Sequence, residues 1–175
     1  MKAALAVLAL GLTFAVRAAA PALPAAVTSD VAGLRPLGEA RLRVFFRHVY
    51  DASLWSDARQ WSPDSTFALD IRYAIDVRGA DLAAKSLDLM RRLGYRDEPR
   101  LARWEKEMSR VFPDIHAGDR LVGVHVPGQE ARFYGDKGLL GTVPDAEFAR
   151  AFFAIWLDER TSEPAMRRQL LMRAR

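Results

Sequence analysis

Apolar residues recur along this chain in two rhythms, every second position and every third or fourth. Leu42-Arg43-Val44-Phe45-Phe46-Arg47-His48-Val49-Tyr50 is rich in β-branched and aromatic side chains and predicts one long strand. One face carries Leu42, Val44, Phe46, His48 and Tyr50; the other carries Arg41, Arg43, Phe45, Arg47 and Val49. Ala52-Ser53-Leu54-Trp55 continues it beyond Asp51. Thr66 to Tyr73 alternates strictly, with Phe67, Leu69, Ile71 and Tyr73 on one side and Ala68, Asp70 and Arg72 on the other. That is the pattern of a half-buried antiparallel strand.

The rhythm then changes. Ala80 to Leu93 places Leu82, Ala83, Leu89, Met90 and Leu93 on one helical side, with Arg91, Arg92 and Gly94 as a stop signal. Asp97-Glu98-Pro99 opens a second helix with a capping carboxylate and a first-turn proline, and Leu101, Trp104, Met108 and Val111 form its stripe. Asp119 to Val126 returns to strand, with Val122, Val124 and Val126 facing away from Leu121, Gly123 and His125. Ala131 to Gly141 predicts two short strands joined by a Gly-Asp-Lys-Gly turn, whose residues tolerate positive φ. Phe148, Phe152 and Ile155 line one stripe of the next helix, and Ala149, Phe153 and Trp156 the adjacent one. A helix so apolar is expected between two layers. Ser162-Glu163-Pro164 starts a last helix with Met166, Leu170 and Leu171 inside. Strands, two helices, strands and two helices predict an α+β layer structure: an antiparallel sheet with helices on one face.

The first residues change the picture. Lys2, the apolar run Ala3–Val16 and the small residues Ala18-Ala19-Ala20-Pro21-Ala22 form the charged, apolar and cleavable pattern of a secretory signal. Cleavage fits after Ala20 or Ala22, with Ala22 preferred because Pro21 would follow the other cut. The run is shorter than the ~20 residues of a bilayer span, and no second such run follows. The expected division is a signal peptide over 1–22, a tether or irregular strand over 23–36, and a folded domain over 37–175 in the periplasm of a Gram-negative bacterium.

Half of the 175 residues are hydrophobic and 27% are charged, which is globular composition. The absence of cysteine excludes thiol catalysis, thiolate metal sites and disulfides. Without Lys2 and Arg17, the 26 basic residues fall to 24 against 22 acidic ones. That balance excludes a nucleic-acid footprint. His48, His116 and His125 lack ligand spacing, so no metal site is expected; His48 is expected in the core and His125 on the surface or lining a cleft. No nucleophile-elbow context surrounds Ser53, Ser86 or Ser109. The four tryptophans suit core and rim positions, and also an apolar pocket.

The order and spacing of Phe46, Val49-Tyr50-Asp51-Ala52-Ser53-Leu54-Trp55, Phe67–Tyr73, Trp104, Phe112-Pro113-Asp114, Gly118-Asp119 and Phe133-Tyr134 resemble the chalcone isomerase-like superfamily, specifically its exported bacterial branch. Gly141, Glu147-Phe148, Phe153, Ile155-Trp156-Leu157 and Thr161–Leu171 extend the resemblance over nearly all of the mature chain. It implies an open-faced β-sandwich of chalcone isomerase type: a large antiparallel sheet covered on one face by helices. It also implies two kinds of function. Isomerase members close a flavanone ring, with an arginine near the first long strand holding the phenolate. Plastid fatty-acid-binding members hold a fatty-acid carboxylate with an arginine and a tyrosine. Matching through Val49–Trp55 puts Gly38 at the position of the isomerase arginine and Tyr50 at that of a strand threonine, a departure from the isomerase pattern. The expectation is therefore a non-catalytic binder of a lipophilic carboxylate or similar small ligand between sheet and helices, without cofactor. An intramolecular lyase or isomerase is the first alternative. A cell-envelope interaction module with a protein partner is the second.

The candidate ligand residues are Arg43, Arg41, Tyr50, Tyr73 and Tyr134. A guanidinium forks a carboxylate or phenolate, and a phenol hydroxyl adds a second donor. Arg43 leads, because Phe45 beside it would dry its surroundings. The bland account is that these arginines are solvated or pair with Asp51, Asp70 and Asp76 across neighbouring strands.

Overall fold

The computed structural model describes residues 22–172. The leader expected over 1–22 lies outside the described residues except for Ala22.

Six strands form one sheet in the order of the chain, each antiparallel to its neighbours. They are β1 (Arg35–Val44), β2 (Arg47–Ser56), β3 (Phe67–Tyr73), β4 (Arg120–Val126), β5 (Glu130–Gly135) and β6 (Gly138–Val143). A short helix, α1 (Ala25–Asp30), precedes the sheet. Helices α2 (Gly79–Arg92) and α3 (Glu98–Val111) join β3 to β4, and α4 (Ala146–Leu157) and α5 (Pro164–Leu171) follow β6. The layer order and antiparallel pairing are those expected from the apolar rhythms.

The main core lies between the sheet and the helical layer. Leu69, Ile71, Tyr73 and Phe133 from the sheet meet Leu101, Trp104, Met108, Phe148, Phe152 and Phe153 from the helices. Helix α4 is buried on nearly all sides, as its double stripe predicts, and its rings meet edge-on: Phe152 lies 5.1 Å from Phe133 and 5.2 Å from Phe153. Its start is set by Asp145, whose Oδ1 accepts from the amides of Glu147 and Phe148 at 2.9 Å each. The other Asp145 oxygen accepts from Trp104 Nε1 at 2.9 Å, which ties α4 to α3. Asp97 caps α3 as its sequence predicts, accepting from Arg100 N at 3.1 Å.

Three differences from the expected fold have physical causes. First, Leu42–Tyr50 is not one strand. The chain reverses at Phe45 and Phe46, which take φ of +47° and +70°. A two-residue hairpin loop with both central residues left-handed is the kind that Asn and Gly favour. Two phenylalanines carry no such signal and cost about 1–2 kcal/mol each in that region.

Second, residues 23–36 hold α1 and the first residues of β1. Leu23 and Val27 pack with Ala68, Val122, Val124 and Tyr134 in a second apolar cluster on the far face of the sheet. The valine face of β4 therefore points away from the helical layer, and part of each sheet face is covered.

Third, β3 is not half-buried. Its Asp70 is 4% exposed and meets Arg120, itself buried, at 3.0 Å. Arg120 also donates to the Ala22 carbonyl at 3.0 Å. A cut after Ala20 would keep that acceptor, whereas a cut after Ala22 would remove it.

Candidate ligand cleft between sheet and helices

The five candidate ligand residues do not converge. Arg41 is exposed and pairs with Asp51 at 2.5 Å. Arg43 is exposed, opposite His48 in the hairpin register. Tyr50 and Tyr73 meet on the helical face with ring centroids 5.9 Å apart. The Tyr50 hydroxyl accepts from Trp156 Nε1 at 2.9 Å and lies 3.6 Å from Met166 Sδ. Burial pushes its pKa up to about 12, with Trp156 pulling the other way. Tyr73 is pushed up still further by burial. Tyr134 is on the opposite face, where its hydroxyl donates to Asp30 Oδ2 at 2.9 Å. Burial again leads, and that phenol also rises to about 12.

Gly38, the position matched to the isomerase arginine, has no room for a side chain. An added Cβ would lie 2.4 Å from the carbonyl oxygens of Gln169 and Leu170. Backbone of α5 occupies that space on β1.

A cleft does open between sheet and helices, at the end of the sheet away from the β1–β2 turn. The 57–66 loop joining β2 to β3 brings Trp61 and Pro63 over Phe67 at the start of β3. Helix α4 supplies Arg150, Phe153, Ala154 and Leu157, and Tyr95 reaches in from the α2–α3 link. The volume of this cleft is about 170 Å³. On the other side of Trp61 a wider cleft of about 710 Å³ is lined by Leu37, Arg59, Gln60 and Leu171. Trp61 is thus the shared wall of two spaces.

The cleft is apolar inside and carries charges of both signs at its rim, where Arg150 stands with Asp64 and Asp158. Phe67 stacks on His125 with centroids 4.6 Å apart, and Trp61 meets Phe67 edge-on at 6.0 Å. His125 is 2% exposed and its Nδ1 lies 3.2 Å from the Ser65 carbonyl oxygen. Burial lowers its pKa and the Ser65 carbonyl only partly offsets this, so the ring is neutral at pH 7, with Nδ1–H donating. Trp61 Nε1 is buried and finds no protein acceptor among the described residues. At the rim, Arg150 lies 3.3 Å from Asp64, both exposed. Arg59 is exposed and no described carboxylate pairs with it. The surroundings can bury a hydrocarbon and neutralise an acid at the edge. Among the described residues no cluster of three or more His, Asp or Glu is placed to hold a metal.

The chalcone isomerase-like family model matches residues 16–172. The chain belongs to the chalcone isomerase-like family. Its fold is also that of a fatty-acid binding protein from Arabidopsis thaliana, with a TM-score of 0.62 at 12% identity, covering 85% of this chain and 90% of that one. No curated protein matches the chain by sequence. At 12% identity the likeness concerns the fold and assigns no residue.

Residue pattern alone offers the tryptophans only collectively as pocket walls, leaves His125 between a surface and a cleft position, and does not single out Arg59. Arg59 and Trp61 lie in an irregular loop with no periodicity to orient them. The alternation of β4 did separate His125 from the valines, but not its burial.

Proposed function

We propose that this protein is a non-catalytic binder of a lipophilic carboxylate, held in the cleft beside Trp61. The observation that carries the reading is the pair of clefts sharing the Trp61 wall, one largely aromatic, the other edged by Arg59, which pairs with no described carboxylate. The aromatic space alone is smaller than the ~300–1,000 Å³ of ordinary ligand sites. An acyl chain would therefore lie beneath Trp61, its tail toward Phe67 and Phe153 and its carboxylate at Arg59. The guanidinium would form a bidentate, charge-assisted contact at the wet edge. The fatty-acid binding of the Arabidopsis protein supports the same ligand class. The leader pattern over 1–22 supports export, which would place the binding in the periplasm.

Native mass spectrometry of the purified full chain with saturated fatty acids tests this. The expected result is one bound acid per chain, with binding weakened about tenfold or more by Trp61→Ala through lost apolar contact. Absence of any bound acid, or wild-type binding by Trp61→Ala, overturns the proposal.

A further inference from the structure

The β1–β2 turn lies at the end of the sheet opposite the cleft and plays no part in it. Phe45 and Phe46 are each 96% exposed, and Val44 beside them is 46% exposed. No other large apolar side chains among the described residues are so fully in water; Leu139 and Leu140 are at least partly covered. Scattered exposed apolar residues are ordinary. A contiguous tip held in a strained turn, with none of the described residues folded over it, is a different matter.

The tip also projects. Tyr50 pairs with Tyr73, the last residue of β3, and Ala74 N still donates to the Val49 carbonyl at 2.8 Å. Residues 43–48 therefore run beyond the neighbouring strand as a two-stranded finger.

Its base is cationic. Arg43 and Arg47 are exposed on either side of the tip and meet no carboxylate among the described residues. Asp51 is taken by Arg41 and lies 3.3 Å from His48. No acidic residue lies between Arg41 and Tyr50. An aromatic tip with guanidiniums just behind it matches the depth profile of an anionic bilayer surface, where rings settle among the headgroups and acyl ends and cations meet phosphates. Asp76 and Asp136 stand in the connections at the same end of the sheet.

We propose that the β1–β2 hairpin is a membrane-docking finger that inserts Phe45 and Phe46 into the interface of an anionic phospholipid bilayer. The proposal stands independently of the cleft, so either can fail alone. The chain contains no cysteine, so Phe46→Cys carries a single environment-sensitive fluorophore on an otherwise unlabelled full chain. Mixed phosphatidylglycerol–phosphatidylcholine vesicles should blue-shift this label, and acyl-chain quenchers should quench it. A label at Asp136→Cys should remain aqueous. The double variant Phe45→Asn with Phe46→Gly installs residues the turn prefers, so it should fold with a melting temperature at or above wild type. Vesicle contact at the tip, read by a label at Val44→Cys, should then weaken about tenfold. Arg43→Ser with Arg47→Ser should weaken binding to the anionic vesicles and leave the small binding to pure phosphatidylcholine unchanged. A label at residue 46 that stays aqueous with anionic vesicles overturns the proposal, including the case in which the tip instead meets a protein. An equal response with pure phosphatidylcholine overturns the anionic preference.

Discussion

Asp70 behaves unlike most surface carboxylates. Burial raises its pKa to about 6, and the nearby Arg120 and Arg72 guanidiniums only partly reverse the effect. The unfolded chain loses this proton near pH 4. Between roughly pH 4 and pH 6 the folded state therefore holds a proton that the unfolded state has released. The stabilisation is fully present below about pH 4 and is lost as pH rises through about 6, a change of roughly 2–3 kcal/mol. Carboxyl carbon NMR should give Asp70 a midpoint near 6. The stability difference between wild type and Asp70→Asn should decline over the same interval. A midpoint near 4 would contradict this and show that the Arg120 and Arg72 guanidiniums, or residual solvent, cancel the cost of burying Asp70. The alternation of β3 places Asp70 correctly on the face opposite Phe67 and Leu69. It cannot reveal that Leu23 and Val27, more than forty residues earlier, cover that face.

The caps that start α3 and α4 are local devices, and the α3 cap is legible in the sequence for that reason. Asp145 starts α4 by accepting two backbone amides and the Trp104 indole. Burial would raise its pKa, but these hydrogen bonds outweigh it and hold the carboxyl below its usual value. Its contribution is present above about pH 4 and lost as pH falls below that. Asp145→Ala removes a cap and strands a buried indole N–H, and should cost about 2–3 kcal/mol. Thermal unfolding should show a fall of roughly 5–10 °C. A shift within 1–2 °C, taken as roughly the effect of an ordinary surface change, would mean the cap is not holding α4. Asp97-Glu98-Pro99 and the stripe Leu101, Trp104, Met108 and Val111 are of the same local kind and predict α3 closely. The hairpin at Phe45-Phe46 fails that rule. An apolar pair continues a strand pattern on both sides, and nothing short of the register with β2 shows that the chain has reversed.

At the scale of the whole molecule, the sheet separates two chemistries at its two ends. One end carries the loop with Arg59 and Trp61 above an aromatic cleft; the other carries the phenylalanine finger with its arginines. The fold is legible because it follows from repeated short-range patterns. The candidate site is far less so, because Trp61, Tyr95, His125 and Arg150 come from four separate segments that only the folded chain brings together. Arg41, Arg43 and Tyr134 shared the right chemistry with a carboxylate site, but strand faces and a hairpin send them to different surfaces. The described residues contain no helix long and apolar enough to cross a membrane.

The four tryptophans make the decisive measurement possible. Indole N–H resonances of the full chain can be followed while dodecanoate is added. The account predicts that Trp61, whose N–H has no acceptor among the described residues, shifts saturably together with the aromatic signals of Phe67 and Phe153. Trp104 and Trp156, whose N–H groups are held by Asp145 and Tyr50, should stay in place. Shifts centred on Trp156 and Tyr50 with Trp61 unmoved, or no saturable shift at all, would contradict the account.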